Sequence, residues 1–463
     1  MKKINQLFVL LALVFIQFSA LAQPYQNEIY PFSVETNIEY GQATGFAGNT
    51  DTLLLDIYKP IGDDNCFRPC MILIHGGAWI GGSKDDAGIV TIAESFAKRG
   101  WVVASINYRL GMHKTSNHTM YALCNNQISQ PCAYISDSAE VFRAIYRGQQ
   151  DTKGAIRFMK NRSSQDSTDL ANFFLTGESA GGFNAFAAAF MDNASEKPSF
   201  CEAISPAPSP DGDLISCLPS NYDLDRPDLG TVDGDLNLGG YNAEVEGIAS
   251  IYGGALDLDM FANETDWPAI YMYHQGSDVV VHHDYGRLLG RIDWECYAQT
   301  NLCQPYARYP RAYGSTGLNT YFDQVIPGGS APRAFSFINN YEYLNDCFDN
   351  GHSVVNLPEK LNEIAFLFAQ QLIINGNSSS PCFAGLEDFN DQVNANIYPN
   401  PSSGYVKIDS DEQLELLVSS AEGRMIKTNN FSYQHAVKLE QGVYFFTLRN
   451  TSGIAVTKQV IIR

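Results

Sequence analysis

From Pro24 to about Asn375 the apolar positions alternate between two rhythms. Short aliphatic and aromatic runs at Leu53–Tyr58, Cys70–Ile74, Val102–Tyr108, Phe173–Thr176, Gly247–Tyr252 and Ala269–His274 read as strands. Between them Asp86–Arg99, Ser136–Gln149, Gly181–Met191 and Pro358–Ile374 carry helical spacing. Strands that are apolar along most of their length, separated by helices, imply a mainly parallel sheet covered on both faces. The expected class is therefore α/β, doubly wound.

Two stretches break this rhythm. Leu110 to Pro131 is polar and without period, and Ser205 to Tyr241 is long and rich in Asp, Pro and Gly. Loops of that length are covering or functional elements, or solvated insertions, and the residues leave both readings open. A small-residue linker follows at residues 376–393. Beyond Asn394 short β-segments separated by turns form a small all-β unit, a β-sandwich spanning 394–463.

The first 22 residues have a basic start at Lys2 and Lys3, an apolar stretch Leu7–Phe18 and small residues at Ala20 and Ala22. That is the pattern of a cleaved export signal, with a mature body expected over 24–375. The apolar run is short for a membrane anchor, and no stable membrane insertion is expected. The formal charge is −21, and loss of Lys2 and Lys3 takes it to −23. A surface so acidic disfavours nucleic acid and anionic membranes as partners.

Ten cysteines in an exported chain read as disulfides. Pairing neighbours in sequence gives Cys66–Cys70, Cys124–Cys132, Cys201–Cys217, Cys296–Cys303 and Cys347–Cys382. No CxxC pair with matching His spacing supports zinc, so no metal is expected. Asp211, Asp213, Asp223, Asp225, Asp228, Asp233 and Asp235 lack the spacing and terminal Glu of a calcium loop.

The chemistry concentrates in Gly177-Glu178-Ser179-Ala180-Gly181-Gly182, which ends a strand and opens a helix. In that setting the two flanking glycines keep side chains out of a sharp turn, and Ser179 projects as a nucleophile. His75-Gly76-Gly77-Ala78-Trp79 follows another strand. Its backbone is open enough for N–H groups of Gly77 and Ala78, with Ala180 from the elbow, to face a developing oxyanion. His75 reads as a residue that fixes this loop.

These motifs, with Ala104–Leu110, resemble the carboxylesterase and hormone-sensitive-lipase branch of the α/β-hydrolases, over about Asp51 to Gln371. Ala78 stands where that branch usually has a third glycine. The resemblance implies an α/β-hydrolase fold and the chain order nucleophile, acid, histidine. Gln275-Gly276-Ser277-Asp278 then resembles the acid loop and Asn350-Gly351-His352-Ser353 the histidine loop. Asp278 and His352 would complete a triad with Ser179, ahead of the rivals Asp257, Asp284, His282 and His283. A serine esterase acting through an acyl-enzyme without cofactor is implied. Its substrate would be a small or polysaccharide-linked ester. A serine peptidase on the same fold and a non-catalytic secreted binding protein are the alternatives.

In the tail, Ile397-Tyr398-Pro399-Asn400-Pro401, Gly442-Val443-Tyr444 and the closing Lys458–Arg463 resemble the type IX secretion sorting domain. That resemblance implies the type IX secretion machinery as a partner, with export to the periplasm and then across the outer membrane. The other reading is a carbohydrate-binding β-module.

Overall fold

The computed structural model describes residues 25–112, 138–204, 226–289, 309–328, 331–340, 351–376, 395–420, 425–450 and 455–463. Two compact units divide at Pro381 and Cys382.

The first unit is built on a sheet of eight strands among the described residues: β1 (Phe32–Thr44), β2 (Thr50–Pro60), β3 (Arg68–Ile74), β4 (Val102–Ile106), β5 (Thr168–Glu178), β6 (Gly247–Ile251), β8 (Ala269–Gln275) and β11 (Arg333–Ile338). Their order is β1-β2-β4-β3-β5-β6-β8-β11. The strands from β4 to β11 run parallel, and β1 and β2 close one edge antiparallel. This is the α/β-hydrolase fold. A small antiparallel sheet of β7 (Gly254–Ala255), β9 (Tyr285–Arg287) and β10 (Arg311–Gly314) flanks it.

Strand pleating divides the core into two layers. On β3, Cys70, Ile72 and Ile74 face one layer, which includes Val141, Ile145 and Ile156 of α2 (Ser138–Asn161) and Phe183, Phe186 and Phe190 of α3 (Ala180–Phe190). Met71 and Leu73 face the other, with Ile89, Ile92 and Phe96 of α1 (Ala87–Lys98) and Leu361, Ile364 and Phe368 of α5 (Leu357–Ile374). Trp101 is fully buried in this second layer, edge-on to Phe96 and Phe174.

Several elements lay outside the apolar pattern. β1 is an edge strand whose side chains are mostly exposed or half-buried, so it carries little apolar periodicity. α4 (Ser315–Val325) buries only Ser315, Leu318 and Phe322. β11 is half-buried at every position.

α2 extends twelve residues past the expected Gln149, because its second half hides its burial behind polar chemistry. Gln149, Gln150, Lys153, Arg157 and Lys160 are buried, and their partners are mostly backbone carbonyls of residues 226–244. This segment straps the helix, and its carbonyls replace the water those side chains would otherwise keep. Burial pushes the Lys160 ammonium down to about 8, with Glu244 and Glu246 opposing.

Within the strap Asp228 pairs with Lys197 at 2.8 Å and Asp233 with Lys153 at 3.5 Å. Asp211, Asp213, Asp223 and Asp225 lie outside the described residues. Among those described, no three metal-ligating side chains cluster, and no helix is long and apolar enough to cross a membrane.

The cysteine pairing needs correction. Cys70 and Cys201 are free, so neither Cys66–Cys70 nor Cys201–Cys217 forms. Cys70 points from the middle of the sheet into the apolar core, whereas Cys66, which is disulfide-bonded, lies in a bend before the strand. Cys201 ends a 3-10 turn packed into the same core layer. Burial raises both thiols, Cys201 to about 12. The other expected pairs, Cys124–Cys132, Cys296–Cys303 and Cys347–Cys382, fall outside the described residues, as does the export signal.

The second unit is an antiparallel sheet of β12 (Ala395–Tyr398), β13 (Tyr405–Ser420), β14 (Met425–Lys438), β15 (Gly442–Asn450) and β16 (Ala455–Ile462). The ladder of β13 breaks register between Asp409 and Gln413, so its first half pairs with β12 and its second with β15. Val406, Ile408, Leu416, Phe446, Leu448 and Val460 form its own core.

The free thiols make a direct prediction. Alkylation of the folded protein should leave Cys70 and Cys201 unmodified, while denaturation without reductant should expose both to the reagent. Peptide mass spectrometry reads the outcome, and a Cys66–Cys70 or Cys201–Cys217 linked peptide contradicts it.

Candidate active site

Ser179 occupies the turn between β5 and α3 with φ 51° and ψ −118°, a conformation a side-chain-bearing residue adopts only under constraint. The constraint is backbone crowding. A Cβ on Gly177 would lie 2.1 Å from the Gly181 carbonyl oxygen, and one on Gly181 would lie 2.1 Å from that of Ile74. The Ser179 N–H donates to the Ile251 carbonyl at 2.9 Å, and the Ser179 carbonyl accepts from Gly182. The strand-turn-helix passage holds Ser179 at the carboxyl ends of the parallel strands, where open α/β sheets place ligands.

Asp278 and His352 meet Ser179 there. His352 Nδ1 donates to Asp278 Oδ2 at 2.8 Å, which leaves Nε2 to accept from the Ser179 hydroxyl at 2.7 Å. The other Asp278 oxygen accepts the N–H groups of Val280 and Val281 at 2.8 and 2.9 Å. Burial alone would raise the Asp278 carboxyl. The charge on His352, with hydrogen bonding to His274 and His352, instead holds it well below the usual carboxylate range.

The loop bearing His352 is docked on the one bearing Asp278. Gly351 has φ 66°, and a Cβ there would meet Ser277 Oγ at 2.3 Å and the Asp278 nitrogen at 2.6 Å. Gln275 Nε2 adds a bond to the Ser353 carbonyl at 2.8 Å.

The rivals go elsewhere. His283 Nδ1 lies 3.1 Å from Thr316 Oγ1, His282 stacks on His283, and His282 Nδ1 accepts from the Asp284 N–H. Asp257 accepts the N–H of Asp259, and burial raises its carboxyl.

The loop after β3 turns through three successive left-handed residues, Gly77, Ala78 and Trp79. Its own bonds run from the N–H groups of Ile80 and Gly81 back to the Gly77 carbonyl, leaving those of Gly77 and Ala78 outside that pattern. Ala180 stands at the first position of α3, where a helix leaves its N–H donors without intrahelical partners.

His75 is fully buried, stacks on Tyr108 with ring centres 4.4 Å apart, and places Nδ1 2.7 Å from the Gly76 carbonyl oxygen. Burial lowers its pKa, against the Gly76 carbonyl, which raises it. Trp79 Nε1 donates to Asn184 of α3 at 3.0 Å, tying the loop to the helix that follows Ser179.

Three neighbours escaped the motif reading. His274 is fully buried, with Nε2 3.2 Å from Asp278 Oδ2 and Nδ1 3.0 Å from Ser315 Oγ. Its position four residues before Asp278 is the only signal the sequence carries. Tyr252 lays its ring against His352 with centres 4.6 Å apart, and its hydroxyl meets Glu178. Burial raises the Glu178 carboxyl.

A family model described as BD-FAE matches residues 55–145, and the secretion system C-terminal sorting domain matches residues 396–463. No curated protein matches the chain.

Among solved structures, a truncated carbohydrate esterase from gut microbiota aligns at 15% identity and TM-score 0.40, over 74% of this chain and 98% of that one. A propionate-bound esterase, Est2, of the planctomycete Thermogutta terrifontis aligns at 14% identity and TM-score 0.38, over 74% and 94%. Esterase B from Lactobacillus rhamnosis aligns at 14% and 0.37, over 81% and 98%.

The crowding at the elbow is testable by stability alone. Gly181→Ala should lower unfolding free energy by about 3 kcal/mol or more in urea titration, because backbone rather than a side-chain tip opposes the new methyl. Gly81→Ala is the control, since a Cβ there meets nothing within 4 Å.

Proposed function

We propose that this protein is an exported serine esterase in which Ser179, His352 and Asp278 form the catalytic triad. The observation that carries the proposal is the unbroken relay from Ser179 Oγ through the His352 imidazole to Asp278, at 2.7 and 2.8 Å.

In this reading Ser179 Oγ attacks the ester carbonyl carbon while His352 Nε2 takes its proton. The carbonyl oxygen gains charge and turns to the N–H groups of Gly77, Ala78 and Ala180. His352 returns the proton to the departing alcohol, leaving an acyl group on Ser179. Water, deprotonated by His352, then releases the acid. Asp278 keeps the Nδ1 proton in place and stabilises the imidazolium, while His274 approaches the same carboxylate oxygen of Asp278. Every step uses side chains and backbone of this chain.

The proposal extends to the chain's organisation. Residues 1–22 act as a signal peptide and 24–375 as the hydrolase body, with 376–393 as linker and 394–463 as the sorting domain. The type IX secretion machinery recognises that domain and carries the protein from the periplasm across the outer membrane. The substrate is a carboxylic ester, small or linked to a polysaccharide.

Hydrolysis of nitrophenyl esters tests the chemistry. Ser179→Ala and His352→Ala should each lower kcat by on the order of 10⁴-fold or more, and Asp278→Asn by a comparable factor. His282→Ala and His283→Ala should stay near wild type. An essential His283 beside a dispensable His352 would overturn the assignment, and faster cleavage of peptide amides than of esters would favour a peptidase.

The tail is tested separately. A chain ending at Phe383 should keep its ester turnover but accumulate in the periplasm of the native host. Normal secretion of that chain, or loss of binding to insoluble polysaccharide, would favour a binding module.

A further inference from the structure

Among the described residues, two buried arginines of α2 have no carboxylate in salt-bridge contact. Arg143 and Arg147 are each 2% exposed, while their neighbours are paired: Arg109 with Asp151 at 2.8 Å and Arg226 with Glu140 at 3.2 Å. Arg143 donates to the backbone carbonyls of Phe200, Glu202 and Pro227. Arg147 donates through Nη2 to the Gly111 carbonyl at 2.8 Å, and its enclosed Nε has no acceptor among the described residues.

Carbonyl dipoles satisfy hydrogen bonds without neutralising a charge, and fully buried cations are almost always paired. Burial pushes the Arg147 guanidinium down to about 10, with Glu140 opposing and Arg109 and Arg143 adding to the effect.

Both arginines line a cavity of about 530 Å³, within the range of small-molecule sites. Arg109 and Arg226 also line it, as do the carboxylates of Glu140 and Asp228, which pair with Arg226 and Lys197, so Arg143 and Arg147 supply the cavity's uncompensated positive charge. Where β1 reaches the cavity, the exposed Gln42 and Thr44 supply hydrogen-bonding groups, and the strap adds the exposed Asp235. A cationic wall with hydrogen-bonding groups beside it matches an anion that also carries hydroxyls. Guanidinium pairs well with a planar carboxylate.

We infer that this cavity is a binding site for a carboxylate-bearing, polyhydroxylated small molecule of the sugar-acid type. Its carboxylate lies against Arg143 and Arg147, and its hydroxyls meet Gln42, Thr44 and Asp235. Ser179, Asp278 and His352 do not line the cavity, and the inference stands independently of the roles proposed for them.

The test is calorimetric titration of the full chain carrying Ser179→Ala, which removes turnover from the readout. The probes are D-glucuronate, D-glucose and inorganic phosphate. D-glucuronate should bind with one-to-one stoichiometry and raise Tm, whereas D-glucose should do neither. Arg147→Gln should abolish binding. Thr44→Glu, at an exposed position, should weaken it about tenfold by placing a like charge beside the ligand. That second variant keeps the test decisive if Arg147→Gln does not fold. No heat from D-glucuronate at millimolar concentration would overturn the inference. So would tighter binding of phosphate than of D-glucuronate, or binding unchanged in Thr44→Glu.

Discussion

The contact on which this active site depends is between two stretches of backbone. The first turn of α3 crosses the carboxyl end of β3 so closely that only hydrogen fits on Gly181 beneath the Ile74 carbonyl. That approach forces Ser179 into its left-handed conformation, and it brings the amino end of α3 against the loop that begins at His75. Crowding thus does two jobs: it lifts one hydroxyl off the sheet, and it holds the start of α3 against the backbone of Ile74 and His75. The third party, His352, reaches the same place by the same device, since Gly351 lets its loop rest directly on the backbone of Asp278. Steric exclusion at glycines, more than attraction between the reacting groups, sets the geometry.

That dependence explains what the sequence disclosed. Crowded turns demand glycine at fixed offsets, so Gly177, Gly181 and Gly351 announce Ser179 and His352 in a single chain. The central strands were equally plain, because burial on both faces leaves continuous apolar runs. His274, Tyr252 and Glu178 were not, since a buried histidine, tyrosine or glutamate acquires its meaning from a partner distant in sequence. The two free cysteines were misread for a related reason. Spacing suggested a short loop between Cys66 and Cys70, but the pleat of β3 turns the Cys70 side chain into the core.

α2 shows the opposite failure. Its second half contains Gln149, Gln150, Asp151, Lys153, Arg157 and Lys160, a composition that reads as solvated surface. All six are buried: the segment at 226–244 lays its carbonyls along the helix for five of them, and Asp151 pairs with Arg109. A polar helix enclosed by a polar strap has no hydrophobic period to detect. Its order comes from directional bonds, which specify one register of strap on helix more sharply than apolar packing does.

The unpaired thiol of Cys70 also bears on how the chain matures. It lies on β3 between β4 and β5, so it is sealed only when all three strands have joined. Cys201 is sealed only when its 3-10 turn seats against α2. Until then both sulfurs are open to attack by any oxidised partner, and a mixed disulfide at Cys70 would set a second sulfur in a core with no vacancy for it. In an oxidising compartment, strand assembly would have to outrun oxidation. The native sheet itself is then the guard of both thiols, since each is out of reach of solvent once the strands and the 3-10 turn are in place.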